Sequence, residues 1–177
     1  ATNWAAGLSA VEHLIALGHR RIAALSGRPQ LACSQERVEG YRAALGRAGI
    51  PVDERLVHFS DFTTSCGREG ARVVLDAPDP PTAIFAGSDM QAFGVYQAAA
   101  ARGLRIPEDL SVVGFDDIAF SELAAPPLTT VRQPLARMAA TAVRLLLDAG
   151  DGIPDPPPRV ELATHLVVRG STGPLQR

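Results

Sequence analysis

Between Leu110 and Phe120 the chain reads L-S-V-V-G-F-D-D-I-A-F. This is an apolar run of strand length that stops on two adjacent carboxylates, Asp116 and Asp117. Pro107, Glu108 and Asp109 mark its start. The run has no clean in-and-out alternation, so both of its faces are covered, as in the middle of a parallel sheet. In open α/β sheets, ligands sit beyond the carboxyl ends of the strands. Asp116 stands at that edge. The sequence therefore reads as an α/β lobe that presents Asp116, Arg37 and Phe62 to a small polar molecule.

The segments on either side agree with a parallel sheet. Leu8, Val11, Leu14 and Ile15 recur at helical spacing within Ala6 to Leu17, and Gly18 stops the helix. Arg21 to Leu25 reads as a short buried strand. Ser34 is a candidate cap for the next helix, which carries Val38, Tyr41 and Leu45 on one face. Leu56 to Phe59 is the second strand. Thr63, Thr64 and Ser65 offer caps for a helix with Val73, Val74 and Leu75. Thr82 to Ala86 is the third strand, and Ser88 or Asp89 caps a helix through Phe93, Tyr96 and Ala100. Such alternation implies βαβ units with right-handed crossovers. After Asp117 the regularity stops. Leu128 to Val131 is a short strand, and Pro134 opens a helix whose apolar stripe is Leu135, Met138, Ala142, Leu145 and Leu146. A loop over 150–158, two short strands near Val160–Leu162 and Leu166–Arg169, and a loose tail beyond Gly173 complete the reading.

Composition mainly excludes. The 177 residues are 46% apolar and 20% charged, enough for one well-cored domain. Net charge is −2 and no basic stripe appears, so this segment carries no electrostatic footprint for nucleic acid. All 17 basic residues are arginine. Without lysine, a Walker A loop and a Schiff-base lysine are both impossible. Cys33 and Cys66 make no disulfide framework. The four histidines show no ligand spacing, so neither a metal site nor a cofactor is expected. No apolar run approaches a membrane span, and no signal peptide precedes the first helix, so the expected location is the cytoplasm.

Several residues carry candidate chemistry. An ionised Asp116 accepts two hydrogen bonds, which suits vicinal hydroxyls or ring N–H groups. Its plainer role is to cap a turn or pair with arginine. Arg37, one turn into its helix, can grip oxygens bidentately, or else pair with Glu36 or Asp61. Phe62 offers a flat face for stacking on a sugar or base, or is core. One of Ser88 and Asp89 caps the helix, leaving the other for the ligand. Asp117 is expected to cap the short segment after it.

Seven fragments, in order and spanning nearly the whole chain, resemble the effector-binding region of LacI/GalR-type transcriptional regulators. They are E-H-L-I-A-L-G-H-R-R-I-A from Glu12, R-V-E-G-Y-R-A-A-L from Arg37, D-F-T-T-S-C-G from Asp61, P-T-A-I-F-A-G-S-D-M-Q-A-F-G from Pro81, I-P-E-D-L-S-V-V-G-F-D-D-I from Ile106, P-P-L-T-T-V-R-Q-P from Pro126 and V-V-R-G-S-T from Val167. The resemblance implies a doubly wound, mainly parallel α/β fold of the periplasmic-binding-protein-like type I, two lobes with the effector between them. It implies that this chain is a piece, truncated at its N-terminus and mostly the C-terminal lobe. Residues 1–124 and 159–173 would form that lobe, and 128–150 would belong to the first lobe. The helix over Leu135–Leu146 would then lack its usual partner. Burying a Leu or Met side chain stabilises by roughly 1.5–3 kcal/mol, so the bare stripe should fold back or pair with another chain.

The resemblance also implies effector-binding roles for Asp116 and Arg37, and places Leu31, Cys33, Phe62 and Ser88 beside them. Leu31 and Cys33 depart from the polar residues usual there, which points to a less polar or differently shaped effector. Thr2-Asn3 replaces a common Asp-Asn pair. Phe93, Tyr96 and Leu123 match the family's dimer surface, which implies a homodimer. DNA would be bound only through a missing N-terminal helix-turn-helix. The expected function is thus the effector-sensing domain of a regulator, for a sugar or nucleobase-like molecule. The alternative is the solute-binding protein of a transporter. No enzyme is expected: there is no activated nucleophile, no G-x-G-x-x-G follows the first strand, and Asp116 and Asp117 point apart.

Overall fold

The computed structural model describes residues 2–149 and 160–175. Strands and helices alternate through most of it. The order is α1 (Asn3–Ala16), β1 (Ile22–Ser26), α2 (Ala32–Arg47), a single 3-10 turn, β2 (Val57–Phe59), α3 (Thr64–Leu75), β3 (Ala83–Ala86), α4 (Asp89–Ala100), β4 (Ser111–Asp116), α5 (Phe120–Leu123), β5 (Thr129–Arg132), α6 (Leu135–Ala149) and β6 (His165–Val167). The sheet order is β2-β1-β3-β4-β5-β6. Strands β1 to β5 are parallel, and β6 closes the edge antiparallel to β5.

Successive strand residues point to opposite faces, and both faces here are apolar. Ala83 and Phe85 of β3 join the cluster formed with α1 and α2, which includes Leu14, Tyr41, Leu45 and Phe115. Ile84 and Ala86 join the cluster formed with α3 and α4, which includes Leu25, Val95, Leu110 and Leu128. This is why β4 lacks alternation: Ser111 to Phe115 are buried, whichever face they meet. From β1 the chain moves outward to β2, then returns across β1 to β3. The winding therefore reverses between β1 and β3, where doubly wound sheets place their ligands.

Several expectations from sequence need correction. Helix α1 starts at Asn3 rather than Ala6. Ser34 does not cap α2. The helix begins at Ala32, with Leu31 at the cap position and no side-chain cap bond. The Gln35 side chain instead donates to Pro29 O at 2.7 Å. Val73 is 45% exposed, because the inward face of α3 is Gly67, Gly70, Ala71 and Val74, and neighbouring residues on a helix cannot share a face. Val160–Leu162 forms no strand, and the last strand is His165–Val167. Leu128 and β5 are buried in this sheet, so the departure from the lobe comes after Arg132 rather than at Leu128. Helix α6 does not fold back: Leu135, Val143, Leu146 and Leu147 are all exposed. The proposed loop over 150–158 lies outside the described residues.

The tail is also tied down through Leu175. Ser171 bridges two strands, donating its hydroxyl to Val112 O at 2.6 Å and accepting from Thr129 N–H at 2.8 Å. Leu175 N–H reaches Leu17 O at 2.9 Å. His19, only 2% exposed, packs beneath this strap. Its Nδ1 pairs with Thr82 Oγ1 at 2.9 Å and its Nε2 lies 3.0 Å from Ser111 Oγ. His13 Nε2 pairs with Thr172 Oγ1 at 2.9 Å. Burial lowers the basicity of both imidazoles, and for His19 the charge of His13 adds to the effect. The unfolded chain therefore takes up these protons more readily. Stability is full above the ordinary histidine pKa of about 6.5 and falls as the pH drops through it. The melting temperature, followed by calorimetry, should decline between about pH 7.5 and 5.5. His19→Gln should melt lower at neutral pH yet decline less steeply; an unchanged slope would remove His19 from this account.

Candidate functional site

Four strand ends build one shelf. The loops after β1, β2, β3 and β4 bring Gly27, Phe62, Gly87 and Asp116 to the same edge, and α2 adds Arg37 in its second turn. Gly27 is required there. A Cβ on it would lie 2.2 Å from the Phe62 ring and 2.6 Å from Ser34 Oγ.

Arg37 is the centre of the shelf. It is 6% exposed, yet it forms no ion pair with a carboxylate among the described residues. Its Nε donates to Asn3 Oδ1 at 3.1 Å, and its Nη1 donates to the Gly87 carbonyl. The guanidinium lies 3.7 Å from the centre of the Phe115 ring and 5.3 Å from that of Phe62. Desolvated contacts of this kind are worth about 2 kcal/mol. Burial lowers the basicity of Arg37, opposed by the nearby charges of Asp116 and Glu36. Neither pairing that the sequence left open is formed: Asp61 binds Arg28 and Glu36 binds Asn3.

Asp116 ends β4, half-buried, and its Oδ1 accepts from Gln133 Nε2 at 2.7 Å. Burial raises its carboxyl pKa, and the Gln133 bond and the Arg37 charge offset this only in part. The backbone here is unusual: Asp116 has φ 117° and Asp117 φ 58°. Side chains rarely adopt such angles, and they persist only where surrounding contacts over-determine them. Asp117 supplies those contacts. It does not cap the following segment, as the sequence led us to expect. Its carboxylate binds Arg132 and, at 2.8 Å, Arg169, while its own side chain is 4% exposed. These two arginines hold its carboxyl below the usual range, against the opposing effect of burial.

Asp89, rather than Asp117, holds the segment that follows, and it is not left free for a ligand. It is fully buried, and accepts from Ile118 N–H at 2.9 Å, Ser121 Oγ at 2.6 Å and Thr130 Oγ1 at 2.5 Å. A Cβ on Gly114 would sit 2.3 Å from its Oδ1, so the glycine in V-V-G-F-D-D makes room for this carboxylate. Ser88 caps α4, accepting from Gln91 N–H at 3.1 Å, and it is 3% exposed. It meets the shelf by donating to Phe62 O at 3.4 Å. Gln91 holds the same loop, with Nε2 donating to Ser26 O at 3.1 Å and Asp61 O at 3.0 Å. Leu31 is 43% exposed at the start of α2, and the Cys33 thiol is free and half-buried beside it.

Sequence reasoning missed Asn3, Gln133, Gln91 and the pair Arg132 and Arg169. The V-R-Q-P fragment carried a signal for two of them, since a polar pair directly after a strand marks the same edge. On a separate surface, Met90, Phe93, Tyr96, Phe120, Leu123, Ala124 and Ala125 line an open groove of about 450 Å³. Phe120 and Leu123 are 68% and 78% exposed. Phe93 meets Tyr96 edge to face at 6.4 Å.

Removing the clamp should be costly. Asp117→Ala leaves the largely buried Arg169 unpaired and should destabilise the fold by about 2–4 kcal/mol in urea unfolding. Arg132→Ala, at a half-exposed position, should cost about 1 kcal/mol or less.

Residues 11–172 match the family model for a periplasmic binding protein-like domain. The chain is 41% identical over 169 residues to the HTH-type transcriptional regulator DegA of Bacillus subtilis, covering 96% of this chain and 50% of DegA. It is 39% identical over 170 residues to the HTH-type transcriptional repressor CytR of Escherichia coli K12, again covering 96% of this chain and 50% of that protein. A solved transcriptional regulator CelR–cellobiose complex superposes with a TM-score of 0.90 at 43% identity, covering 96% of this chain and 52% of that one. The chain thus spans about half the length of the relatives it matches. It belongs to the periplasmic-binding-protein-like family, in the form carried by LacI-type transcriptional regulators.

Proposed function

We propose that this chain is the effector-sensing part of a LacI-type regulator, and that an uncharged polar molecule of the sugar class binds between Asp116 and Arg37. The observation that carries this reading is the half-desolvated Asp–Arg pair kept apart on one shelf. The carboxylate offers acceptors, the guanidinium offers donors, and Phe62 adds an apolar face. A polyhydroxylated ring satisfies all three. The opposite charges of the pair match, so a neutral guest fits better than an ion. The similarity to a regulator bound to cellobiose supports the same class.

Control of DNA binding would follow from a difference in effector affinity between two arrangements of the lobes. The second lobe would cover the shelf and take up the apolar stripe of α6. DNA contact would belong to a helix-turn-helix outside this chain, acting in the cytoplasm; the net charge of −2 here gives no reason to expect direct DNA affinity. A solute-binding role in transport is disfavoured, because the relatives are named as transcriptional regulators. Binding rather than catalysis suits the shelf, on which Asp116 and Asp117 serve separate partners. No helix among the described residues is long and apolar enough to cross a membrane.

The groove around Phe93, Tyr96, Phe120 and Leu123 is proposed as the homodimer surface. Phe120 and Leu123 stand exposed along it, and a second copy would cover them. Leu123→Arg should convert a dimer to a monomer in sedimentation velocity, and an unchanged mass would reject this surface.

A thermal-shift panel of cellobiose, ribose, other neutral sugars and nucleosides on the full chain tests the effector reading. Hydrogen bonds to a charged group contribute roughly 1.5–3 kcal/mol each. Asp116→Ala should therefore weaken binding roughly ten- to hundredfold while the free protein stays folded. Full retention of the shift by this variant would overturn the site.

A further inference from the structure

Two neutral amides hold the charged pair of the shelf. Asn3, at the start of α1, accepts from Arg37 Nε at 3.1 Å and donates its NH2 to Glu36 Oε2 at 2.9 Å. A carboxylate can only accept, so Glu36 fixes the orientation of the Asn3 amide and turns its oxygen toward Arg37. Gln133, one residue past β5, must likewise present its NH2 to Asp116, at 2.7 Å. The Gly87 carbonyl and the Phe115 ring complete the seat of the guanidinium.

This arrangement requires a cause. Opposite charges in a partly desolvated pocket attract strongly, and arginine has a long, adjustable side chain. Asp116 and Arg37 would ordinarily close into a salt bridge. They do not, although each feels the charge of the other. Among the described residues, Arg37 Nη2 donates no hydrogen bond and Asp116 Oδ2 accepts none. Each charged group therefore keeps one atom without a hydrogen-bond partner among the described residues.

We infer that Asn3 and Gln133 are positioning residues that keep Arg37 and Asp116 apart in the empty site, so that their free atoms remain available to an uncharged guest. This rests on the reading of the shelf as an effector site. Neither amide adds charge, so the pair stays matched. Without them Arg37 swings onto Asp116, and the guest must break a salt bridge before binding.

The titration of Asp116, followed by carboxyl 13C NMR on the full chain without any sugar, decides the matter. Its neighbours in charge are Arg37, Asp89, Asp117 and, through Asp117, Arg132 and Arg169. Loss of the Gln133 bond alone removes a donor to the carboxylate and raises its pKa. Collapse of Arg37 onto Asp116 lowers it. In the Asn3→Ala/Gln133→Ala variant the Asp116 pKa should fall by about one pH unit or more, with the melting temperature held or raised. Asn3→Ala alone, which keeps the Gln133 bond, should show a smaller fall and serves if the double variant folds poorly. A pKa that rises or stays in place would overturn the proposal. Because no ligand is added, that outcome is separate from a failure of the sugar panel.

Discussion

The clamp of Asp117 between Arg132 and Arg169 is the interaction on which the shelf depends. Strand β4 ends in two consecutive residues with positive φ, a conformation that the free chain would abandon. Arg132 comes from the end of β5, and Arg169 follows β6, so the turn is held by the two strands added last to the sheet. Only when the turn is held does Asp116 point off the sheet edge. Asp89 braces the same turn from below, taking the N–H of Ile118 and tying α5 to β5. A carboxylate in the core is costly unless its oxygens are occupied. Here three donors occupy them.

Charge is handled differently on the two sides of the shelf. Asp117 is neutralised directly by arginine. Arg37, although more buried than most arginines, meets among the described residues a neutral amide, a backbone carbonyl and two aromatic rings. Clamped and unclamped charges thus use the same residue types with opposite solutions. The first are closed, and the second are left half open. The exposed pairs elsewhere, such as Arg42 with Glu54 and Arg105 with Asp109, contribute little to stability.

The lobe keeps two apolar surfaces in solvent. One is the stripe of α6, and the other is the groove between α4 and α5. They lie on different elements, α6 following β5 and the groove running between α4 and α5. Gln133 ties Asp116 to the segment that leads into α6, and Ser88 and Gln91 tie the Phe62 loop to the helix that lines the groove.

Much of the fold was legible because a parallel sheet leaves a plain pattern. Apolar strand runs alternate with helices, and each βα turn carries its own polar residues. Asp116, Arg37 and Phe62 were readable as edge residues for the same reason. Capping was less legible: Ser34, Ser88, Asp89 and Asp117 are all chemically able to cap, and only the packed geometry chooses Ser88. Asn3 and Gln133 left almost no trace, since an amide contributes to the shelf only after segments some 130 residues apart in sequence have come together. By itself the sequence determined the strand–helix order, the covered faces of the sheet and the edge at which polar groups gather, because these follow from local periodicity and from burial. The tertiary structure alone decided which carboxylate is clamped, which is buried and which stands open. Those outcomes depend on distances between distant side chains, and no local pattern encodes a distance.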